Sequence, residues 1–177
     1  MFAFIADFFR GRPEERESSY KPATTVTTKA KPNSRTISYD PHLIRSLKED
    51  HSKLVNLYER MWKEGFEKRN YRQLSSLLAE FKSTFQSHLL KENVKFYVYL
   101  EQSLQSDVHT LQVVKDFRVD MNDIANAVIQ FCKRYQHDIY TADMEKNFEK
   151  DYVAVGEVLT RRVGLEENEL YTLYSPN

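Results

Sequence analysis

From Pro41 onward, apolar residues recur at steps of three and four, and charged residues fill the positions between them. That spacing marks one face of an α-helix rather than the alternation of a strand. The first run predicts a helix over about residues 41–64, with the stripe Ile44, Leu47, His51, Leu54, Tyr58, Met61. Asp40 before Pro41 is its start signal, an N-cap followed by proline at the first helical position. "EGFEKRN" then reads as a turn. The second helix covers about 70–103, with Leu74, Leu78, Phe81, Phe85, His88, Glu92, Phe96 and Tyr99 on one face. "SDVHT" supplies a break, with Ser106 or Asp107 as the cap. The third helix runs to about 136 through Val114, Phe117, Met121, Ile124, Val128, Phe131 and Tyr135. After "QHDIYT" the fourth covers about 141–163, with Met144, Phe148, Tyr152, Val155, Leu159 and Arg162, and the pattern continues through Glu166 and Leu170. Gly164 either ends this helix or weakens it. Four helices with short connections predict an all-α, up-down-up-down antiparallel four-helix bundle over residues 39–177.

Residues 1–38 break the pattern. "MFAFIADFFR" is apolar but short, lacks a basic leader, contains Asp7 and runs into "GRPEERE". It therefore reads neither as a signal peptide nor as a membrane span. It is expected to be a short amphipathic helix that docks on the domain, on a partner or on a membrane. Residues 11–38 are rich in Ser, Thr, Pro and Lys and read as a flexible arm. Pro13, Pro22, Pro32 and Pro41 all precede the helical region, and only Pro176 follows them. A long proline-free run suits long helices.

Twenty-six basic and 26 acidic residues leave no net charge, so no nucleic-acid partner is expected, and membrane contact is expected only through residues 1–10. Cys132 is the one cysteine; it cannot close an intrachain disulfide, which points to a reducing, cytoplasmic compartment. Its apolar helical setting makes it a small core residue. Trp62 reads as a cap on the core. The aromatics of "YTLYSPN" form either a docking tail or a packed bundle end.

The chemistry lies in polar residues on apolar stripes. His51 sits on the first helix, His88 and Glu92 on the second, Arg162 and Glu166 on the fourth. A separation of four places two side chains on one helix face. Imidazole and carboxylate at that spacing can grip a metal ion. A buried carboxylate otherwise needs a cation. The plainer readings are satisfied core histidines, a solvated Glu92 at a bundle end, and Glu166 with Glu167 as part of an acidic surface. No phosphate-binding loop, dinucleotide fingerprint, CxxC or HExxH is present, so an enzyme is not expected.

"LKEDHSKLVNLYERM", "LLAEFKSTFQSHLLKENVKFYVYL" and "LTRRVGLEENELYTLY" resemble the hemerythrin-like family of HHE cation-binding domains over about residues 40–174. The resemblance implies a bundle whose core holds two non-haem irons bridged by two carboxylates. His51, His88 and Glu92 fall on its first three ligand positions, and Glu166 on its fourth-helix acidic position. Arg162 stands where the fourth-helix histidine belongs. Met121 is nearest to the lost third-helix ligand, and His109 and His137 lie at the ends of that helix. The implied metal ligands are thus His51, His88, Glu92 and Glu166, with Arg162 as a buried cation in place of a ligand. Three states stay open: a metal-free salt-bridge network around Arg162, one ion on His51, His88 and Glu92, or a di-iron centre. The resemblance implies a non-catalytic sensing or regulatory domain with non-haem iron, mono- or dinuclear. The alternative has no cofactor: a protein-interaction bundle that regulates a partner such as a sigma factor or signalling protein. The ending "LTRRVGLEENELYTLY" is also similar to the Rsd/AlgQ-type anti-sigma regulators, which supports that alternative.

Overall fold

A computed structural model describes residues 37–176. The expectations for the N-terminal apolar segment and for residues 11–36 fall outside that range. Four antiparallel helices form an all-α bundle. Helix α1 (Leu43–Arg60) continues into a π-helical turn, Met61–Phe66. Helix α2 starts as Tyr71–Lys91, passes through the π-helical turn Glu92–Tyr97 and ends as Val98–Ser103. Helices α3 (Val108–Tyr135) and α4 (Ala142–Asn168) are uninterrupted, and a 3-10 turn, Leu170–Leu173, follows α4. Among the described residues, no helix is long and apolar enough to cross a membrane.

The helix starts follow capping chemistry. Asn70, Asp107 and Thr141 accept the backbone N–H groups of Gln73, Thr110 and Met144 at 3.2, 3.0 and 3.2 Å. Each satisfies a donor that the first helical turn leaves unpaired. Asp40 acts one step earlier than the sequence pattern implies. Its carboxylate accepts the His42 N–H at 3.0 Å and its carbonyl the Leu43 N–H at 3.1 Å, so it closes a turn and α1 begins at Leu43.

Two apolar clusters fix the helix directions. One joins the end of α1 (Leu57, Met61), the start of α2 (Leu74, Leu78), the end of α3 (Phe131, Tyr135) and the start of α4 (Phe148). The other joins the start of α1 (Leu43, Leu47), the end of α2 (Phe96, Leu100), the start of α3 (Val114) and the turn after α4 (Leu170, Tyr171). Such alternation requires neighbouring helices to run in opposite directions. Tyr58 and Tyr152 add a reciprocal clamp between α1 and α4, each hydroxyl donating to the other's backbone carbonyl.

The described part of the "YTLYSPN" ending, Tyr171 to Pro176, packs on the bundle. Tyr171 and Tyr174 are buried, the Tyr99 hydroxyl donates to the Ser175 carbonyl at 2.6 Å, and the Tyr174 hydroxyl accepts the Asp40 N–H at 2.9 Å. At the same end Ile37 exchanges hydrogen bonds with the Gln102 amide. Cys132 is fully buried and burial pushes its thiol up to about 12, which leaves it unreactive at neutral pH. Trp62 is half-buried against Phe66 and Tyr152 at the bundle's other end.

Two glycines have opposite meanings. A Cβ on Gly65 would lie 2.7 Å from the Leu74 Cβ and 2.9 Å from its Cα, so this glycine lets the α1 end meet the α2 start backbone to side chain. Gly65→Ala is expected to cost about 1–3 kcal/mol in urea unfolding, as overpacking does. Gly164 lies inside α4, where a Cβ meets nothing within 4 Å. It weakens the helix without ending it. Gly164→Ala is expected to add about 0.5–1 kcal/mol in the same assay.

Candidate metal centre

A polar layer lies between the two apolar clusters. His51 follows Leu47 by one helical turn, His88 follows Phe85, and Arg162 follows Leu159, so the same stripes that build the core deliver these groups inward. His51, His88, Glu92, Arg162 and Glu166 are all buried, Glu92 completely. The structure therefore brings together every polar stripe residue singled out from the sequence. Glu92 is not at a solvated end, and Glu166 is not part of the surface. Met121 borders the layer from α3, while His109 and His137 are exposed at the ends of that helix.

Donor atoms of His51, His88 and Glu166 all lie within 4.8 Å of one another. The His51 and His88 rings meet edge to face with centroids 4.7 Å apart. His51 Nε2 is 3.3 Å from Glu166 Oε2, and His88 Nε2 is 3.7 Å from Glu92 Oε2. The outer nitrogen of His51, Nδ1, is 2.8 Å from Glu167 Oε1. A carboxylate on the far nitrogen fixes an imidazole's orientation and aims Nε2 inward, as outer-shell partners of metal-bound histidines do. His88 Nδ1 faces Asp50 at 3.8 Å, and the Lys91 ammonium holds Asp50 by a hydrogen bond.

Arg162 completes the layer. Its Nε donates to Glu166 Oε1 at 2.5 Å and one terminal nitrogen donates to the Tyr97 hydroxyl at 2.8 Å. The guanidinium lies 5.0 Å from the Phe117 ring centroid. Tyr97 reaches it because the π-helical turn that starts at Glu92 adds a residue to the helix and brings Phe96 and Tyr97 both inward. The Tyr171 hydroxyl, from the turn after α4, donates to Glu92 Oε1 at 2.8 Å and sits 3.4 Å from His51 Nε2. Asp50, Tyr97, Glu167 and Tyr171 were not among the residues singled out for the site. Only Glu167, inside "GLEENE", and Tyr171, inside the aromatic ending, left a trace in the sequence.

The charges are unequally placed. Burial and then the Glu166 charge push Glu92 up to about 8. Burial also pushes Glu166 up, but the hydrogen bonds and charges of His51 and Arg162 outweigh it and hold Glu166 below its ordinary value. Burial followed by the nearby His51 charge brings His88 down to about 4. Burial lowers His51 as well, yet the Glu166 and Glu167 carboxylates raise it overall. At neutral pH the layer thus holds Arg162 paired with Glu166, a neutral His88 and a mostly protonated Glu92.

This balance has a pH signature. Above about 6.5 His88 is neutral in both folded and unfolded chains. The folded chain then keeps a proton on Glu92 that the unfolded chain, with a carboxyl near 4.5, has lost. His51, raised on folding, acts with the same sign. Stability of the chelator-treated protein is expected to fall as pH rises from about 6.5 to about 8. Glu92→Gln should flatten most of that fall in urea titrations at fixed ionic strength.

Two ions do not fit this donor set. From α3 Met121, which offers no hard donor, borders the layer, and a guanidinium already occupies one Glu166 oxygen. One ion does fit. His88 Nδ1 and Glu92 Oε2 are buried without a hydrogen-bond partner, so the layer holds polar atoms that the protein's own groups leave unsatisfied. His51, His88 and Glu166 would hold it, and two imidazoles with one carboxylate suit a divalent first-row metal. A cavity of about 320 Å³ reaches the layer between Leu54, Phe81, Phe85, Met121 and Leu159, and His51, His88, Arg162 and Glu166 form its polar wall.

Comparisons with curated proteins and with solved structures returned no match. A family model does match: Hemerythrin HHE cation binding domain, over residues 42–174. That span runs from the start of α1 through the turn that carries Tyr171, and it includes the whole polar layer. The chain belongs to the hemerythrin HHE cation-binding domain family.

Proposed function

We propose that this chain is a non-catalytic sensing or regulatory domain that holds a single non-haem iron. The observation that carries the reading is the buried trio His51, His88 and Glu166, whose donor atoms lie within 4.8 Å of one another. Arg162 takes the place of a second cation beside Glu166. Iron held there supplies a Lewis-acid and redox-active centre. The chain's own groups do the rest. Glu167 orients His51, Lys91 keeps Asp50 ionised behind His88, and Tyr171 ties Glu92 to the C-terminal turn. A change in occupancy alters the charge that Glu92 and Glu166 face, and Tyr171 passes that change to the last residues of the bundle. That link supports a readout by a protein partner rather than turnover of a substrate.

The experiment is thermal unfolding with and without ferrous iron under anaerobic conditions. A rise in melting temperature that disappears in His51→Ala supports the reading, because a ligand that binds only the folded state stabilises it by mass action. An equal rise in the variant refutes it.

One observation favours a metal-free interaction bundle instead. Arg162 satisfies Glu166 and Tyr97 without any ion. Under that reading the layer is a structural salt bridge and the domain regulates a sigma factor or signalling protein by surface contact alone. Unchanged melting in ferrous iron would favour it.

A further inference from the structure

We infer that Tyr171 is a ligand of the bound ion, a phenolate that replaces part of the lost histidine set. The inference rests on the single-ion reading and goes beyond it by naming a donor that the helix stripes do not contain. Tyr171 enters from outside the four helices, on the 3-10 turn Leu170–Leu173. Its hydroxyl is buried in the polar layer, 2.8 Å from Glu92 Oε1 and 3.4 Å from His51 Nε2. Its ring lies nearly parallel to that of His51, 11° between planes with centroids 5.9 Å apart, and edge-on to Phe96. Packing on both sides leaves the hydroxyl aimed at the layer.

Three neighbouring donor pairs have the spacing found between ligands of one ion. Neighbouring donors around an ion with bonds of about 2.0–2.1 Å are separated by about 3 Å. His51 Nε2 to Glu166 Oε2 is 3.3 Å, His51 Nε2 to Tyr171 Oη is 3.4 Å, and Tyr171 Oη to Glu92 Oε1 is 2.8 Å. His51 Nε2 is thus adjacent to both a fourth-helix carboxylate and the phenol.

Charge favours the same donor. A trivalent hard cation prefers anionic oxygen. Glu166 and Glu92 alone leave a ferric ion and the Arg162 cation short of negative charge, and a Tyr171 phenolate reduces that excess in a buried layer. On binding, the Tyr171 O–H bond breaks and an oxygen–iron bond forms, and the protons of Tyr171 and of Glu92 both leave to water. The iron is supplied and remains ferric, so no electron moves. Tyr97 is the control. It is equally buried, but its hydroxyl accepts from the Arg162 guanidinium, which keeps it from the ion.

The test is titration of the full chain with ferric nitrilotriacetate, followed by absorption and resonance Raman spectroscopy and by iron analysis after desalting. The expected result is one iron per chain, a visible phenolate-to-iron charge-transfer band, and tyrosinate ring modes in the Raman spectrum. Tyr171→Phe should lose band and ring modes while retaining iron with several-fold weaker affinity. Tyr97→Phe should keep both. Stoichiometric iron without a tyrosinate signature in the wild-type chain overturns the Tyr171 assignment and leaves the single-ion reading standing, whatever the folding of the variants. Absence of retained iron overturns both together. A band that survives in Tyr171→Phe and vanishes in Tyr97→Phe assigns the donor to the wrong tyrosine and overturns the inference.

Discussion

Arg162→Met is expected to cost about 3–5 kcal/mol in the metal-free protein, because it leaves a buried carboxylate without its cation. Arg162 is 4 % exposed and Glu166 2 %. The ion pair at 2.5 Å is the shortest polar link of Glu166, and His51 Nε2 at 3.3 Å is its weaker second partner. Tyr97 loses its donor in the same variant. The loss should be visible as a lowered urea midpoint with an unchanged slope. Two further measurements separate charge from packing. Arg162→Met combined with Glu166→Leu should recover most of the loss, since apolar replacement of both members of a buried pair is near neutral or stabilising. Ferrous or zinc ion should also rescue the single variant, because a cation again faces Glu166. Arg162→His removes the competing charge and restores an imidazole at the fourth-helix position. It is expected to raise metal affinity over wild type in isothermal titration. A folded Arg162→His protein with no gain would show that the guanidinium does not compete with metal.

Phe148→Ala is expected to cost about 3–5 kcal/mol, the range for truncating a buried phenylalanine. Phe148 is fully buried near the start of α4. Its ring lies within 4.4 to 6.2 Å, centroid to centroid, of Phe66, Tyr135, Tyr152, Phe131 and Tyr140. No rigid aromatic neighbour can fill the space that truncation opens. The cluster lies at the end of the bundle away from Tyr171, so the variant should keep wild-type metal stoichiometry under conditions where it remains folded. Parallel loss of metal binding in folded Phe148→Ala would show that the two ends of the bundle are coupled.

The bundle was legible because its stripes keep a helical period from Ile44 to Leu170 and because Asp107 sits where a helix start needs an acceptor. The caps Asn70 and Thr141 came from the structure, and at the start of α1 the buried residue is Leu43 rather than Ile44. The polar layer was legible for the same reason: an imidazole or a carboxylate at a position reserved for an apolar group stands out. The spacing put Arg162 and Glu166 on one face but left Glu92 as an equal candidate partner for the guanidinium; the structure pairs Arg162 with Glu166. What the period hid is the π-helical turn at Glu92. No glycine or proline marks it, so a stripe counted at 3.6 residues per turn reached Phe96 and Tyr99 but passed over Tyr97. Tyr171 was hidden for a different reason. It lies beyond α4, where no period applies, and its role depends on how the chain folds back over the bundle end. Glu167 and Asp50 each adjoin a layer residue in space but point outward on the helix, where acidic residues are commonplace. The start of α1 shifted because an aspartate can cap the turn before a helix as readily as the helix itself. Neither a sensing role nor a partner has a signature in composition or spacing.

The most direct test of the single-ion account is iron per chain after anaerobic loading with ferrous iron and desalting, measured beside His51→Ala and His88→Ala. The account predicts one iron in the wild-type chain and a small fraction of that in either variant. Two irons per chain, or one iron that both variants retain, would contradict it.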